Sequence, residues 1–203
     1  MNNYIVINDH RIELTEEQVQ QIVAAHSQQD TGVQLGEVAV GDTFKIGVHE
    51  FIVLEQPGDT TAVIRKELLP DMRFGDTSRY ADSKMDEICN TFADEIEGVI
   101  GEGNIVMHTV DLTSNDGLKD YGTLKRRAAL LTADRYRRYV DILDNFNPED
   151  WWWLATPFST AKHDSDCYIL CVSPSGYIDY GLYYGDGGVR PFCILKSNIF
   201  VSK

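Results

Sequence analysis

The sequence has little of what marks a membrane-spanning, exported or nucleic-acid-binding chain. No run of about 18 apolar residues occurs, which argues against a transmembrane helix. The first residues, MNNYIVINDHRIEL, lack the basic segment and apolar stretch of a signal peptide. Only 18 Lys and Arg stand against 32 Asp and Glu, a formal net charge of -14, whereas nucleic-acid binding needs a basic surface. We therefore expect no membrane and no nucleic-acid partner.

Cysteine is scarce as well, with four in the chain: Cys89, Cys167, Cys171 and Cys193. Without an export signal reduced thiols are the default, so we expect a protein made in the cytoplasm. Cys167 and Cys171, with His163 four residues before the first, have a spacing that could hold a metal, but a second close pair is missing. In a strand these two cysteines share one face, which favours the alternative that they pack as small apolar side chains.

Motifs for catalysis are also missing. No G-x-S-x-G nucleophile elbow occurs, and GDGG at 185–188 lacks the Lys and the Ser or Thr of a phosphate loop. Asp164 and Asp166 resemble the start of a calcium loop, but the other EF-hand ligands are not at their spacing. Together with Asp179 and Asp186 these residues could form a calcium site. We favour the alternative that they lie in a solvated loop. We predict a protein that is not an enzyme, with no catalytic residue, no cofactor and no metal.

The first 32 residues predict a small appendage. YIVIN and RIEL, separated by a polar pair, predict a hairpin. TEEQ has the form of a capping box, with Thr15 as N-cap and Gln18 reaching back. The helix that follows has a narrow apolar stripe (Val19, Ile22, Val23 and His26), which favours light docking or pairing with another subunit. The polar segment HSQQDTGVQ predicts a linker, so we divide the chain into an appendage at 1–32 and a main domain at 33–203.

Strands are predicted at the start of the main domain. TFKIG, HEFIVLEQ and TTAVIRKEL are separated by Gly-containing turns. Phe44 and Ile46 alternate with polar neighbours, and so do Phe51 and Val53, which is typical of a half-buried sheet. Residues 70–82 have turn composition and no period, which predicts a loop.

Two helices and a C-terminal sheet complete the prediction. The first helix starts at the N-cap Ser83 and stops at Gly101, and the second covers about Ala133 to Phe146 with Thr132 as N-cap. From Trp151 onward short apolar segments predict a β-meander. Its parts are strand 167–172, turn SPSG, strand 177–184, Gly-rich loop 185–188 and strand 189–195. The fold class is therefore α+β, with two helices between strands.

The tyrosines of this C-terminal segment suggest a binding surface. Five of the chain's ten tyrosines lie within seventeen residues, interleaved with Gly, Ser and Asp. Tyrosine offers a large contact area at low rotamer entropy. The alternative, equally compatible with composition, is a Tyr-rich strand pair that packs on the core. The candidate ligand-binding residues are Asp164, Asp166, Tyr168, Tyr177, Asp179, Tyr180, Leu182, Tyr183, Tyr184 and Asp186.

Two motifs carry a family resemblance: WWWLATPFS, which contains all three tryptophans, and GVRPFCIL, which starts at Gly188. Together they resemble a domain family of phages and bacteria with WWLRSP-like and GVRP motifs. That family's fold is similar to the C-type lectin fold, in the branch shared with formylglycine-generating enzymes and with the variable proteins of diversity-generating retroelements. The resemblance is most specific over 150–195 and looser over 36–149.

The resemblance implies a division of roles. Residues between Ser159 and Asp186 would be displayed and varied, while the two motifs would hold the fold. Ala155–Thr156 departs from the family's Arg–Ser, and the spacing of Cys167 and Cys171 differs from the cysteine pair of the oxygenase members, so that activity is not carried over. The implied structural residues are Trp152, Trp153, Leu154, Pro157, Gly188, Val189, Arg190 and Pro191, with Arg190 as a hydrogen-bonding residue.

Three hypotheses follow. The first is a ligand-binding module that recognises a protein or cell-surface receptor, encoded by a phage or prophage and associated with the virion. The second is a structural or assembly protein of a virion that uses the same face for subunit contacts, with residues 1–32 as a homo-oligomer contact. The third is a metal-dependent or cysteine-based enzyme.

Overall fold

The computed structural model describes residues 4–7, 10–20 and 32–203 and shows a mixed α+β fold. The strands are, in chain order, β1 (Tyr4–Ile7), β2 (His10–Glu13), β3 (Val33–Gln34), β4 (Thr43–Ile46), β5 (His49–Glu55), β6 (Thr60–Arg65), β7 (Leu69–Arg73), β8 (His108–Asp111), β9 (Thr123–Arg126), β10 (Ala128–Ala129), β11 (Trp152–Pro157), β12 (Tyr168–Val172), β13 (Ile178–Leu182), β14 (Asp186–Val189), β15 (Phe192–Lys196) and β16 (Phe200–Val201). The longer helices are α1 (Lys84–Ile100) and α2 (Ala133–Leu143), and short 3-10 turns lie at Leu35–Glu37, Tyr80–Asp82, Asp144–Phe146 and Ala161–His163.

The N-terminal hairpin and capping box are confirmed. β1 and β2 pair antiparallel, with Tyr4 opposite Glu13. Gln18 N donates to Thr15 Oγ1 at 3.2 Å and Thr15 N donates to Gln18 Oε1 at 3.0 Å, the reciprocal bonds of a capping box. Residues 16–20 are helical. The rest of the predicted stripe, at 22, 23 and 26, lies outside the described residues, and self-association through 1–32 stays a prediction.

Two five-stranded sheets form most of the main domain. The first sheet has the order β10-β15-β6-β5-β4, and the second sheet has the order β13-β12-β11-β14-β7. The pairs of the first sheet are antiparallel. In the second sheet β11 and β14 run parallel, with Trp152 opposite Gly188. β3 pairs with β16, and β8 pairs with β9.

Both sheets bury residues on both faces, so the prediction of a half-buried first sheet is wrong for β5. Neighbouring residues of β5, β11 and β12 enter opposite cores because side chains alternate along a strand. The first core, which also packs on α1, includes Phe51, Val53, Phe92, Trp153, Ile169 and Cys171. The second core, which also packs on α2, includes Ile52, Leu54, Tyr136, Trp152, Leu170 and Val172. α1 packs on the first core and α2 on the second. Sheet faces that the two-residue periodicity predicted to be exposed to solvent are therefore covered.

The prediction of a loop at 70–82 is also wrong. Its first part belongs to β7, which pairs antiparallel with β14, and Phe74 and Tyr80 are fully buried. The Tyr80 hydroxyl accepts a hydrogen bond from Leu130 N at 3.2 Å. The polar composition has a simple reason: β7 is an edge strand, and most of its residues are partly or fully exposed.

Both long helices begin where their capping residues predict, and the first also ends at the predicted residue. Ser83 Oγ accepts from Asp86 N at 3.2 Å, and α1 ends at Gly101 with φ of 89°, a conformation that glycine adopts without strain. Thr132 Oγ1 accepts from Arg135 N at 3.3 Å. The second predicted helix consists of α2 and the 3-10 turn Asp144–Phe146 that follows it.

The prediction of a C-terminal β-meander is only partly correct. β12 and β13 form the predicted hairpin, hereafter the β12–β13 hairpin, with Leu170 opposite Tyr180. The predicted Gly-rich loop 185–188 is instead largely β14, which leaves this hairpin and lies between β11 and β7. After Arg190 and Pro191 the chain enters the first sheet as β15, which pairs with β6. A short glycine-rich strand has no hydrophobic periodicity from which its partner strands can be predicted. The local sequence pattern therefore could not show that β14 lies between β11 and β7.

Candidate functional site

β11 determines where the tryptophans lie, and all six of its residues are buried. Trp152 points into the second core, where its ring packs edge-on against Tyr136 with centroids 5.7 Å apart. Trp153 points into the first core and packs edge-on against Phe74, also at 5.7 Å. Trp151 is partly exposed and its ring meets the Tyr177 ring at 5.8 Å. Two tryptophans therefore lie inside the fold and one reaches its surface.

Glycines bring two other strands close to Trp153. A Cβ at Gly181 on β13, or at Gly187 on β14, would lie 3.0 Å from the nearest atom of the indole. That distance is tighter than nine in ten real Cβ contacts, so the indole would have to shift by a few tenths of an ångström to admit a side chain. The indole Nε1 donates to Met72 O at 3.1 Å. Trp153 is thus packed between glycine backbones and tied to β7.

Arg190 is fully buried and joins separate segments through backbone carbonyls. Its Nε donates to Arg65 O at 3.0 Å, and its Nη2 donates to Lys66 O at 3.1 Å and to Phe146 O at 2.9 Å. Its guanidinium lies 5.2 Å from the Trp152 ring centroid. Burial lowers the pKa of Arg190 to about 10, so the group remains charged at neutral pH.

The remaining residues of the two motifs also lie in the interior. Leu154, Val189 and Pro191 are buried, and Pro157 ends β11. Gly188 N donates to Trp151 O at 2.8 Å. At Ala155 and Thr156, where the resembling motif differs, Thr156 Oγ1 accepts from Ala133 N at 2.9 Å. This threonine thus satisfies a free amide in the first turn of α2.

The candidate ligand-binding residues do not all share one face. On the β12–β13 hairpin Tyr168, Tyr180 and Leu182 point one way and Asp179 the other, because side chains alternate. The Tyr180 ring packs on Phe158 at 4.8 Å and on Tyr168 at 5.2 Å. The prediction of a single display face is wrong in this respect: Asp179 lies on the opposite face of the β12–β13 hairpin from Tyr168, Tyr180 and Leu182.

Three of these tyrosines are half exposed: Tyr177 at 53%, Tyr180 at 51% and Tyr184 at 54%. Each is held by a neighbouring ring, and Tyr184 meets Tyr183 edge-on at 5.3 Å. Tyr183 packs against the first core and lies under Arg73, whose guanidinium is 5.9 Å from the ring centroid. Exposed rings in fixed positions make a preorganised contact surface.

The loop beside the β12–β13 hairpin is fixed by acceptors from another loop. Asp116 Oδ2 accepts from Ser159 Oγ at 2.6 Å and lies 2.9 Å from His163 Nδ1. Thr160 Oγ1 donates to Asp120 Oδ2 at 2.7 Å. Hydrogen bonds from Ser114, then Ser159 and His163, hold the pKa of Asp116 well below its usual range. Ser159 and His163 both contact Asp116, and a serine–histidine contact of the kind used in nucleophilic catalysis is not formed here.

The acidic candidates Asp164 and Asp166 are exposed on the segment after this loop. Among the described residues no group of three or more His, Cys, Asp or Glu is placed to hold a metal ion. The calcium arrangement with Asp179 and Asp186 is therefore not formed in the described part of the chain.

The cysteines are placed as small apolar side chains. Cys171 lies in the first core beside Ile169, and Cys89 and Cys193 are buried. Burial raises the pKa of Cys89 to about 12, and burial together with nearby Asp179 raises that of Cys171 to about 12. A nucleophilic cysteine needs its thiolate near neutral pH, so these environments oppose cysteine catalysis. Cys167 is partly exposed.

Sequence reasoning missed a cleft beside Trp151, hereafter the Trp151 cleft. It has a volume of about 220 Å³. Trp151, which has no assigned role in the family motif, and the small residues of β13 and β14 were the signals that could have revealed it. The lining residues are Trp151, Trp152, Trp153, Cys171, Tyr180, Gly181, Leu182, Gly185, Asp186 and Gly187.

Carboxylates gather at the rim of the Trp151 cleft. Asp186 lines it, and Asp150 accepts a hydrogen bond from Trp151 N at 2.7 Å. The pKa of Asp71 is raised by partial desolvation and then by the neighbouring Asp150 and Asp186. Among the described residues none of these three forms a salt bridge. Arg73 is opposite Asp186 in the β7–β14 pair, but its ion pair is with Asp76 at 3.4 Å.

Comparisons with protein-family models, curated proteins and solved structures find no match for this chain. No helix within residues 4–7, 10–20 and 32–203 has the length and apolar content to cross a membrane. Function is therefore inferred from the local geometry of the β12–β13 hairpin, the tryptophans and the Trp151 cleft.

Proposed function

We propose that the protein is a ligand-binding module for receptor recognition, with a C-type-lectin-like fold that displays a variable Tyr- and Gly-rich surface. We further propose that it is the variable protein of a phage or prophage diversity-generating retroelement. The observation that supports binding most strongly is the set of half-exposed tyrosines on and around the β12–β13 hairpin: Tyr177, Tyr180 and Tyr184.

Tyrosine at these positions suits recognition for a physical reason. A ring with few rotatable bonds loses little entropy on binding, and its hydroxyl adds a polar contact. Tyr180 is further restricted by Phe158 and Tyr168, and Tyr177 by Trp151. A tyrosine that only packed in the core would be buried. By contrast, about half of each of the side chains of Tyr177, Tyr180 and Tyr184 is exposed to solvent.

The structure beneath this surface supports a role in tolerating variation. Trp152, Trp153 and Arg190 are buried and make their contacts with β7, the end of β6 and α2 and its following turn. None of those contacts involves the side chains of Tyr177, Tyr180 or Tyr184. Changes at the exposed rings would therefore leave the anchoring contacts intact, which is the arrangement that binding loops on rigid scaffolds use.

An assembly role is the second candidate, and a separate observation favours it. Val99 and Phe200 are 52% and 62% exposed and line a groove together, and Val48, next to Gly47 of the same groove, is 88% exposed. Exposed apolar side chains that lie close together are typical of subunit contacts. In an assembly protein, light scattering would show an oligomer that V48S/V99S/F200S dissociates.

Binding to bacterial cells tests the proposed function. Fluorescently labelled protein is added to a panel of phage host strains, and bound label is measured by flow cytometry. We expect the variant Y177S/Y180S/Y184S to bind at least tenfold more weakly than the unchanged protein, with the same circular dichroism spectrum. V48S/V99S/F200S, which alters exposed apolar residues away from the β12–β13 hairpin, serves as the matched control and should keep binding.

Equal cell binding by the tyrosine variant and the unchanged protein would contradict the site assignment, and so would binding to none of the strains. The retroelement part has its own test in the surrounding DNA. A nearby reverse-transcriptase gene and a near-copy of the 3′ end with substitutions at adenines would support it. Their absence from a complete genome would leave a fixed lectin-like domain.

A further inference from the structure

We propose that the Trp151 cleft binds a trimethylammonium group, and that such a group belongs to the ligand recognised by the adjoining tyrosines. The proposal rests on the proposed binding function and adds the chemical class of its ligand. Three observations lead to it: the size of the cleft, its aromatic lining and the uncompensated negative charge at its rim.

The size of the cleft limits the occupant. A volume of about 220 Å³ is below the range of roughly 300–1,000 Å³ that drug-sized ligands occupy. The cleft therefore suits a small molecule or the end group of a larger one. A trimethylammonium group is compact and has an apolar surface, which matches a lining that includes Trp151 and Trp153.

The lining combines aromatic rings with negative charge. Trp151 is partly exposed, and the edge-on contact with Tyr177 fixes its ring. The faces of indole rings attract cations, most strongly where water is excluded. Asp186 belongs to the same lining, and Asp150 and Asp71 are its acidic neighbours. A cation in the cleft would meet an aromatic wall and unpaired carboxylates together.

The like charges favour a cation for a second reason. Asp150 and Asp186 raise the pKa of Asp71, after partial desolvation as the larger cause, so Asp71 is repelled by both of these carboxylates. Arg73, the facing guanidinium, is paired with Asp76. A bound monovalent cation would reduce this repulsion, whereas an anion would increase it.

Inside the cleft, away from the carboxylates at its rim, hydrogen bonding favours a methylated ammonium over a primary one. Trp151 O accepts from Gly188 N at 2.8 Å, and Leu182 O accepts from Gly185 N at 2.8 Å. A primary ammonium carries three donors that lose their water partners when buried. A trimethylammonium group has no donor and needs none of these acceptors.

Choline and its neutral isostere 3,3-dimethyl-1-butanol test the proposal. All three tryptophans of the chain are at 151–153, so their fluorescence reports on the cleft directly. We expect choline to change the fluorescence in a saturable manner at constant ionic strength, and the isostere to bind at least tenfold more weakly. An equal response to both compounds, or none to choline, would overturn the proposal.

Two variants locate the site, with affinities measured by calorimetry. Asp186→Asn, at an exposed position, should weaken choline binding at least threefold, and Trp151→Leu should weaken it at least tenfold. Asp141→Asn removes an exposed carboxylate from α2 and is the matched control, with unchanged affinity expected. Choline binding that Asp186→Asn leaves at full strength would overturn the assignment to this cleft, whether or not Trp151→Leu folds.

Competition separates this proposal from the one on which it rests. If saturating choline releases labelled protein from bacterial cells, the trimethylammonium group is part of the surface receptor. If choline binds in the cleft without releasing the protein, the cation is a free small molecule and the link to the receptor fails. If choline does not bind while the tyrosine variant still loses cell binding, this inference fails and the proposed function stands.

Discussion

The indole of Trp153 donates a hydrogen bond to the carbonyl of Met72, 3.1 Å away and 81 residues earlier in the chain. This bond joins β11 to β7 across the intervening strand β14. The indole can cross there because Gly187 of β14 has no side chain, and a Cβ at that residue would lie 3.0 Å from the ring. The central anchor of the second sheet therefore depends on a glycine that directly follows the segment predicted to vary, 159–186.

Gly187→Ala should destabilise the protein. The added methyl group would push the Trp153 indole away from Met72 in a close-packed core, which costs typically about 1–3 kcal/mol. Chemical denaturation measures the change in the free energy of unfolding. The control is Gly98→Ala on α1, where a Cβ meets nothing within 4 Å, and where alanine should stabilise the helix by about 0.5–1 kcal/mol. Equal effects of the two substitutions would contradict the packing described for Trp153.

Arg190→Lys should destabilise the protein although it keeps the charge. Lysine cannot reproduce the three bonds that Arg190 makes to carbonyls of Arg65, Lys66 and Phe146. Loss of two bonds from a charged donor, at about 1.5 kcal/mol or more each, gives about 3 kcal/mol. Arg137→Lys, at a half-exposed surface pair, should change the free energy of unfolding by less than about 0.5 kcal/mol. A small effect at Arg190 would show that its bonds are dispensable.

His108 should make the fold sensitive to mild acid. Burial and then the nearby positive charge of Arg135 lower the pKa of this residue to about 3, whereas an unfolded histidine has a pKa of about 6.5. The unfolded chain takes up a proton first as the pH falls, so stability is fully present above pH ~6.5 and is lost progressively toward pH ~3, by up to about 1.4 kcal/mol per pH unit.

Urea denaturation of the unchanged protein and of His108→Phe, between about pH 6.5 and 4.5, checks this prediction. Glutamates, with a pKa of about 4.3, begin to titrate at the acid end of this window, so the difference between the two proteins gives the histidine contribution. Phenylalanine cannot be protonated and packs against Phe192 as the imidazole ring does, edge-on at 5.2 Å. The variant should therefore lose most of the pH dependence, and an unchanged slope would assign it to other groups.

Local signals in the sequence were sufficient for the helices and the hairpins. Ser83, Gly101 and Thr132 act through bonds within one turn, so their positions alone located α1 and α2. The place of β14 could not be obtained in this way. Its partner Met72 lies more than a hundred residues earlier, and its glycines have meaning only against the Trp153 ring.

The candidate site was predictable in part for the same reason. Composition identified the tyrosines near the β12–β13 hairpin, but alternation along β13 separates Tyr180 from Asp179, so one display face could not be assumed. The Trp151 cleft requires β11, β13 and β14 to meet. A sequence pattern shows which residues are present, whereas the cleft arises from pairing between strands that are distant in the chain.

The division between a variable surface and a buried anchor is tested most directly by one display library. Residues Tyr177, Asp179, Tyr180 and Tyr184 are randomised together, and the clones are sorted for protease resistance and for binding to bacterial cells. We predict that most clones stay protease-resistant while few keep cell binding. Clones that bind regardless of these four residues, or a library that is mostly protease-sensitive, would contradict a binding surface carried on an independent scaffold.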